Sequence, residues 1–596
     1  MRPADEYPRR LQLQQQRAAA AQRRDLSLGV AKLAGVFLLL LLAWLALLRH
    51  AFPWPWLALP AAGLAALFFL HDRVLRARRR AQRLAAYYER GLARLHDRWS
   101  GVGAAGDRSG VGAAGDRSGV AAAGERFRDP THPYADDLDL FGPGGLFELL
   151  CTARTALGED RLAAWMLQPA PPPEVRRRQT LVHGLRDQLD LREQVAALGD
   201  ALDHSLQPAR LRQWTLAPPR LNHPLARAGT AALGLLAAAA AGYGLGTGQL
   251  GPFFLLVILE ALLLARLRPR LQSALAERGA NGEGLRLFAG VLALLPGEGA
   301  PAAAVAALRR LAHLADWIEA SGTTLGRILD FTLLYSVQLA FAADAWRRRY
   351  GAQLPAWLDA VAEFEALLSL STLASERPDD PFPELLDSPA PSFQGEELGH
   401  PLLPQASCVR NSVALGEPQR LLLVSGSNMS GKSTLLRTVG LNAVLAQMGA
   451  PVRARRLRMT PLALGTRLRT ADSLQLGRSG FYAEILRLRQ VFELTRGPRP
   501  VLFLFDELLE GTNSHDRVLG ARGLLRSLLA HPTLGLVTTH DLALTALAAD
   551  FDGMARNVHF EDQIEGQTVR FDHRLREGVV AKSNALALMR LIGLEV

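Results

Sequence analysis

The run LLLVSGSNMSGKSTLL at 421–436 constrains this chain more than any other. Its first five residues are almost wholly apolar, as a strand covered on both faces requires. A loop bounded by Gly426 and Gly431 follows, and then Lys432, Ser433 and Thr434 open a helix-forming segment. This is the G-x-x-x-x-G-K-[ST] pattern in its required strand–loop–helix setting. Such a unit calls for an α/β domain with a parallel sheet. The backbone N–H groups of Gly426, Ser427, Asn428, Met429, Ser430 and Gly431 and the helix N-terminus present positive charge to a phosphate chain. Lys432 can reach the β- and γ-phosphates, and the Ser433 hydroxyl can ligate Mg²⁺. Residues 426–434 are therefore the expected nucleotide cradle, with ATP and Mg²⁺ as its ligands.

Two later apolar runs end in chemistry of the matching kind. VLFLFDE (501–507) delivers Asp506 and Glu507 at the end of a second buried strand, 74 residues beyond Lys432. Asp506 suits a Mg²⁺ ligand, and Glu507 can polarise the attacking water. LGLVTTH (534–540) delivers His540, expected to contact the γ-phosphate. A lone histidine is usually structural; its place at the end of a third strand beside a phosphate site favours the contact.

The amino-terminal part has a different character. Residues 28–48 form an apolar run interrupted only by Lys32, and 56–70 form a second, shorter one after the turn RHAFPWP. At about 1.5 Å per residue the first can cross a hydrocarbon layer of about 30 Å. Residues 1–27 carry six Arg against three acids, and 71–90 seven against two, so these flanks hold +8 of the net +11. The excess thus flanks the apolar segments, and it predicts both flanks on the cytoplasmic side of an inner cell membrane. Residues 228–245 and 252–265 read as a second transmembrane hairpin, the alternative being a buried helical pair. Glu260 counts against the span, because a lipid-facing carboxylate is costly. Two cysteines, Cys151 and Cys408, exclude a disulfide framework. Hydrophobic residues at 49% and a mean hydropathy of +0.07 exclude both a disordered chain and one that is mostly lipid-buried. GVGAAGDRS occurs twice in 101–118, a flexible linker by composition. From 132 to about 376 the apolar spacing is helical, and the Pro-rich, acidic 377–391 marks a boundary.

GSNMSGKST, ADSLQLGRSGFYAE (471–484), FDELLEGTNSHD (505–516) and TTHD (538–541) together resemble the ATPase domain of the MutS family, one of the ABC-type ATPases. The resemblance runs from about His400 to Val596. Upstream, GGLFELLCTARTALGEDRLAAWMLQP (144–169) and EALLSLSTLASE (365–376) are similar to the start and end of the family's helical core. The resemblance implies ATP hydrolysis in a homodimer, with Asn428 as the loop's nucleotide contact. It implies that Ser479 reaches the partner subunit's γ-phosphate, and that Gly511 to Asp516 cross the interface. An apolar hairpin and linker occupy the place of the family's mismatch-reading domain. DNA is thus expected to bind weakly, without preference for mismatches.

The expected organisation is a basic cytoplasmic N-terminus (1–27), a transmembrane hairpin (28–72) and a basic juxtamembrane segment with the linker (73–131). A helical core or lever (132–390) follows, with the second membrane hairpin at 226–266, and then the α/β P-loop ATPase domain (391–596). The competing readings are an ABC-type ATPase acting on a membrane or protein partner, including a half-transporter, and an adaptor that binds nucleotide without turnover. GRSGF in place of an LSGGQ-type signature argues against the transporter, and Glu507 against the adaptor.

Overall fold

The computed structural model describes residues 2–99, 124–198, 207–217, 224–276, 281–295, 302–323, 326, 330, 333–427, 430–468, 480–565 and 568–580. The Gly-rich repeats, Asn428, Met429 and Ser479 lie outside the described residues.

Helices dominate the first two thirds. Helix α1 (Pro3–Leu47) and helix α2 (Ala58–Leu95) form a long antiparallel hairpin. Next come α3 (Ala156–Leu167), α4 (Pro172–Leu185) and α5 (Leu189–Ala197). A second hairpin is built from α6 (Pro224–Thr247) and α7 (Gly251–Ala276). Helices α8 (Gly282–Leu292), α9 (Ala302–Ser321), α10 (Tyr335–Tyr350) and α11 (Leu354–Glu376) complete the helical region. Helix α11 is buried along most of its length and forms the axis of this part.

The carboxy-terminal part holds two sheets. Strands β1 (Glu384–Leu385), β2 (Phe393–Leu398), β3 (Asn411–Leu415) and β5 (Arg456–Met459) make a side sheet in the order β1-β5-β2-β3. The main sheet contains β4 (Leu421–Ser425), β6 (Ala463–Arg467), β7 (Val501–Phe505), β8 (Thr533–Thr539), β9 (Ala555–Glu565) and β10 (Thr568–Glu577). Its order is β10-β9-β4-β8-β7-β6, parallel throughout except for β10, which returns antiparallel to β9. Helices α12 (Lys432–Met448), α13 (Gly480–Leu494) and α14 (Ser514–Leu529) cover it.

The two-sided burial explains the apolar runs. Leu422, Val424, Leu502 and Leu504 join Leu435, Leu436 and Val439 of α12 in one core. The alternate residues Leu421, Leu423, Phe503 and Phe505 join Leu488, Val491, Leu525 and Leu528 of α13 and α14 in another. Each strand must therefore be apolar at every position, since successive side chains point to opposite faces.

Several boundaries differ from those that composition suggested. Helices α1 and α2 run unbroken from the basic flanks into the apolar runs, because the Arg-rich segments are themselves good helix formers. The segment from 132, read as the start of the helical region, packs on the sheet domain. Thr466 N–H donates to the Pro133 carbonyl at 2.9 Å, and its hydroxyl donates to Asp137 at 2.7 Å. The pairing of β1 with β5 brings Glu384 and Leu385 into the side sheet, ahead of residue 391.

Among the described residues, three helices are long and apolar enough to cross a membrane, within Pro3–Leu47, Trp54–Leu95 and Ala226–Thr247. Their apolar side chains are largely uncovered, as Leu33, Phe37, Leu59 and Leu235 show. The same holds for Phe254, Leu255 and Leu262 on α7. Glu260 is buried. It is 1% exposed and lies on the side of α7 whose Leu263 and Leu264 pack against Leu334 and Val337.

Candidate functional site

The loop after β4 is shaped by its two glycines. Gly426 has φ 154°, and a Cβ there would lie 2.8 Å from Ser430 Oγ. Gly431 has φ 109°, a left-handed conformation that disfavours any side chain, and caps α12. Lys432, the first residue of α12, is buried. Its ammonium donates to the carbonyls of Gly426 and Ser427, both at 2.8 Å. Ser433 and Thr434 are exposed in the first turn of the helix, where its free N–H groups point outward. The Ser430 hydroxyl is buried without a hydrogen-bond partner among the described residues.

Strand register brings the acids to this loop. Ser425 of β4 pairs with Thr539 of β8, and Phe505 of β7 with Val537, so Asp506 lies beside Thr538. The Thr538 hydroxyl donates to Asp506 Oδ1 at 2.5 Å and accepts the Glu507 N–H at 2.9 Å. One buried hydroxyl thereby fixes both acids. Glu507 adopts φ 48°, turning its side chain toward the loop, with Oε1 3.7 Å from Lys432 Nζ and 3.6 Å from His540 Nδ1. Burial, and then the neighbouring Glu510 carboxyl, push Glu507 above the usual carboxylate range, while Lys432 and His540 pull the other way. Donor atoms of Glu507, Glu510 and His540 lie within 4.8 Å of one another.

The backbone carrying these acids is braced from behind. Arg467, at the end of β6, donates to the Asp506 and Glu507 carbonyls and pairs with Glu484 of α13 at 3.2 Å, both side chains buried. Glu484 also accepts the Leu509 N–H at 2.9 Å. Arg517 donates to the carbonyls of Leu509, Glu510 and Thr512 and lies 3.4 Å from Asp541. It ties the 509–512 loop to the segment that carries His540.

A cavity of about 260 Å³ opens beside the first turns of α12. Leu398, Leu403, Val409, Thr434, Phe560 and His573 line it. His573 Nδ1 lies 3.0 Å from the Ser430 carbonyl and its ring stacks on Phe571, so the β9–β10 hairpin closes over the loop. Burial, and then the charge of Arg437, hold the neighbouring His400 down at about 4, neutral near pH 7.

The structure thus brings Gly426, Ser427, Ser430, Gly431, Lys432, Ser433, Thr434, Asp506, Glu507 and His540 to one end of the sheet. Sequence reading did not find Glu510, Arg467, Glu484, Arg517 or His573. Glu510 and Thr538 stand inside quoted motifs, but nothing in a motif says which of its residues braces the others. His573 is 141 residues from Lys432 and carries no local signal.

Fold and site define a P-loop nucleotide-binding α/β domain, with a cradle that admits phosphate and two acids at the adjoining strand end. Residues 422–595 match the family described as MutS domain V. The chain is also 30% identical, over 264 residues, to the DNA mismatch repair protein MutS of Geobacillus thermodenitrificans. That alignment covers 42% of this chain and 27% of the relative, so the chain spans about a quarter of the relative's length. The carboxy-terminal third is thus similar to MutS domain V.

Proposed function

We propose that this chain is a membrane-anchored, MutS-like ATPase that hydrolyses ATP in a homodimer and couples turnover to movement of its helical region. The observation that carries the reading is the single hydroxyl of Thr538 holding Asp506 and Glu507 beside the Lys432 loop. The residues present fit ATP and Mg²⁺. The glycines leave a cradle that a Cβ would fill, and a buried Ser430 hydroxyl has no partner among the described residues. Ser433 and Asp506 would hold Mg²⁺, which supplies charge compensation to the β- and γ-phosphates. Lys432 adds a second positive charge there. Glu507, raised toward neutrality by burial and Glu510, accepts the proton of the attacking water. His540, half-exposed beside Glu507, is placed to contact the γ-phosphate. The 260 Å³ cavity, apolar with His573 at its edge, is suited to a nucleobase.

The uncovered apolar helices support membrane anchoring, and the Arg-rich flanks support a multi-pass inner-membrane arrangement with both flanks and the ATPase domain in the cytoplasm. DNA enters only through the relative's name, and we assign it weak, sequence-independent binding at most. The alternative, an ABC-type ATPase acting on a membrane or protein partner without mismatch recognition, is favoured by the direct docking of the α1–α2 stalk on the ATPase domain. Asp97 accepts the Gln405 N–H at 2.8 Å. The test is ATP hydrolysis by the purified full chain with and without duplex and mismatched DNA. Lys432→Ala should abolish nucleotide binding, and Glu507→Gln should keep binding and lose turnover. Turnover by Glu507→Gln at the parent rate would overturn the assignment of the base. A mismatch preference of about tenfold, roughly 1.4 kcal/mol, would overturn the DNA assignment.

A further inference from the structure

Just below the apolar runs, α1 and α2 leave a groove of about 530 Å³ between them. Its floor is made of small apolar residues, Ala20 and Ala21 on α1 and Ala77 and Ala81 on α2. Three arginines line it: Arg17, Arg24 and Arg80. Several arginines around them are engaged, and Arg23 and Arg79 lie outside the groove. Arg10 pairs with Asp190 and Glu193 at 2.6 and 2.7 Å, Arg76 with Asp72 at 2.7 Å and Arg78 with Asp25 at 2.7 Å. Arg17, Arg24 and Arg80 have no ion-pair partner among the described residues. The acids within reach are spent: His71 and Arg78 occupy Asp25, and Arg10 and the Tyr88 hydroxyl occupy Glu193, the one acid at the groove. A concave surface with apolar walls therefore carries three uncompensated positive charges, and such a surface focuses its field on an anion.

The position of the groove selects the occupant. Arg24 precedes Leu28, the first residue of the apolar run, by four residues, about 6 Å along the helix. The interfacial layer of a bilayer is about 5–8 Å deep on each side. Arg24 therefore sits at headgroup depth. Arg17 and Arg80 start about 15 Å from the apolar runs, and long arginine stems can extend toward the interface. We propose that the groove is a binding site for an anionic phospholipid. Its phosphate is held by Arg24, Arg17 and Arg80, and the apolar part of its glycerol backbone rests on the alanine floor. An acidic peptide would satisfy the charges equally well, but the groove opens where the lipid headgroups are. The proposal rests on the membrane reading above, and it adds a defined site to the general attraction of basic flanks for an anionic leaflet.

The full chain is reconstituted in nanodiscs of phosphatidylcholine with a minority of phosphatidylglycerol. Retained phosphatidylglycerol is counted by native mass spectrometry. Arg17, Arg24 and Arg80 are changed together to Gln; the control changes Arg23, Arg76 and Arg79 to Gln, removing the same charge outside the groove. The groove variant should weaken retention about a hundredfold more than the control, which loses only the general attraction of basic flanks while the groove variant also loses three charge-assisted contacts. Ala77→Trp fills the floor without changing charge and should also release the lipid. Nucleotide binding reports that the ATPase domain of each variant is folded, and an unchanged circular dichroism melt that its helices are. Equal loss from both triple variants, or retention by Ala77→Trp, overturns the site and leaves membrane anchoring intact. So does displacement of the lipid by glycerophosphate alone, or binding only in the presence of a co-purified acidic protein. Release of the parent chain from membranes by alkaline carbonate would overturn the membrane reading itself, and the groove with it.

Discussion

Thr538→Val tests the central geometry of the site with almost no change in shape. Thr538 is fully buried, and Val replaces its hydroxyl with a methyl group of similar size. Two bonds disappear. The Glu507 N–H, 2.9 Å from the hydroxyl, is left without its acceptor, and Asp506 loses a donor at 2.5 Å. An unsatisfied buried N–H costs about 1–3 kcal/mol, and a hydrogen bond to a charged group is worth about 1.5–3 kcal/mol. The domain should therefore lose about 3–5 kcal/mol, seen as a fall of about 6–12 °C in its melting midpoint at the lower figure. The catalytic effect should be larger in kind. Glu507 sits in a left-handed conformation that the hydroxyl helps to hold, and a shift of about 1 Å in a catalytic group can cost about a hundredfold in rate. Turnover of ATP by the full chain should fall by that order, with nucleotide affinity little changed, because the Lys432 loop is untouched. Thr538→Ser keeps the hydroxyl and should recover most of both losses. If Thr538→Val hydrolyses ATP and melts like the parent, the shared hydroxyl does not organise the site.

Other expectations follow from named contacts. Glu507 must be ionised to accept a proton and its ionisation is displaced upward, so turnover should fail on acidification above the usual carboxylate range. Glu510→Ala removes one of the groups that raise it, so the acid limb of the pH–rate profile should move to lower pH; an unmoved limb would separate Glu510 from the base. Arg94 meets Glu376 through two bonds of 2.7 Å in a nearly buried pair. Arg94→Met alone should cost about 3–5 kcal/mol in an unfolding titration, and Arg94→Met with Glu376→Leu much less; equal losses would mean that packing rather than charge decides there. Lys432→Ala chains mixed with Ser479→Ala chains should regain ATPase activity, since one complete shared site then forms. Verified heterodimers that stay inactive would remove the shared-site dimer.

What the sequence made legible, and what it did not, divides along a physical line. The strands β4, β7 and β8 are continuous apolar runs because both faces of the main sheet are covered, and each ends in residues whose chemistry announces itself. The bracing was invisible because it depends on register: Thr538 acts on Asp506 only because β8 lies between β4 and β7. The sequence gives no sign that the β9–β10 hairpin folds back to put His573 over the loop. The Pro133–Leu138 segment packs on the sheet domain because its backbone and Asp137 are held by Thr466 on another element, a contact that no local pattern announces. The apolar runs of α1 and α2 were legible as helices from their length, but not their unbroken continuation into the stalk or the burial of Glu260.

The stalk and the nucleotide site share one segment of chain. At its foot Asp97 accepts the Gln405 N–H at 2.8 Å, and Arg377 donates to the Pro401 carbonyl at 3.2 Å. Arg377 directly follows Glu376, which Arg94 of α2 and the Tyr7 hydroxyl of α1 both grip. The same 400–409 segment supplies His400, Leu403 and Val409 to the cavity beside α12. A displacement of that segment on nucleotide binding must therefore either break the Gln405–Asp97 bond or carry the base of the stalk with it. Breaking is resisted by the paired contacts on Glu376, two of them charge-assisted. The stalk itself is two packed helices that continue without interruption into the apolar runs, so a tilt at its foot carries the whole hairpin with it. This connection differs from the route through α11 into the helical core, and it joins the foot of the α1–α2 hairpin to the segment that lines the cavity beside α12.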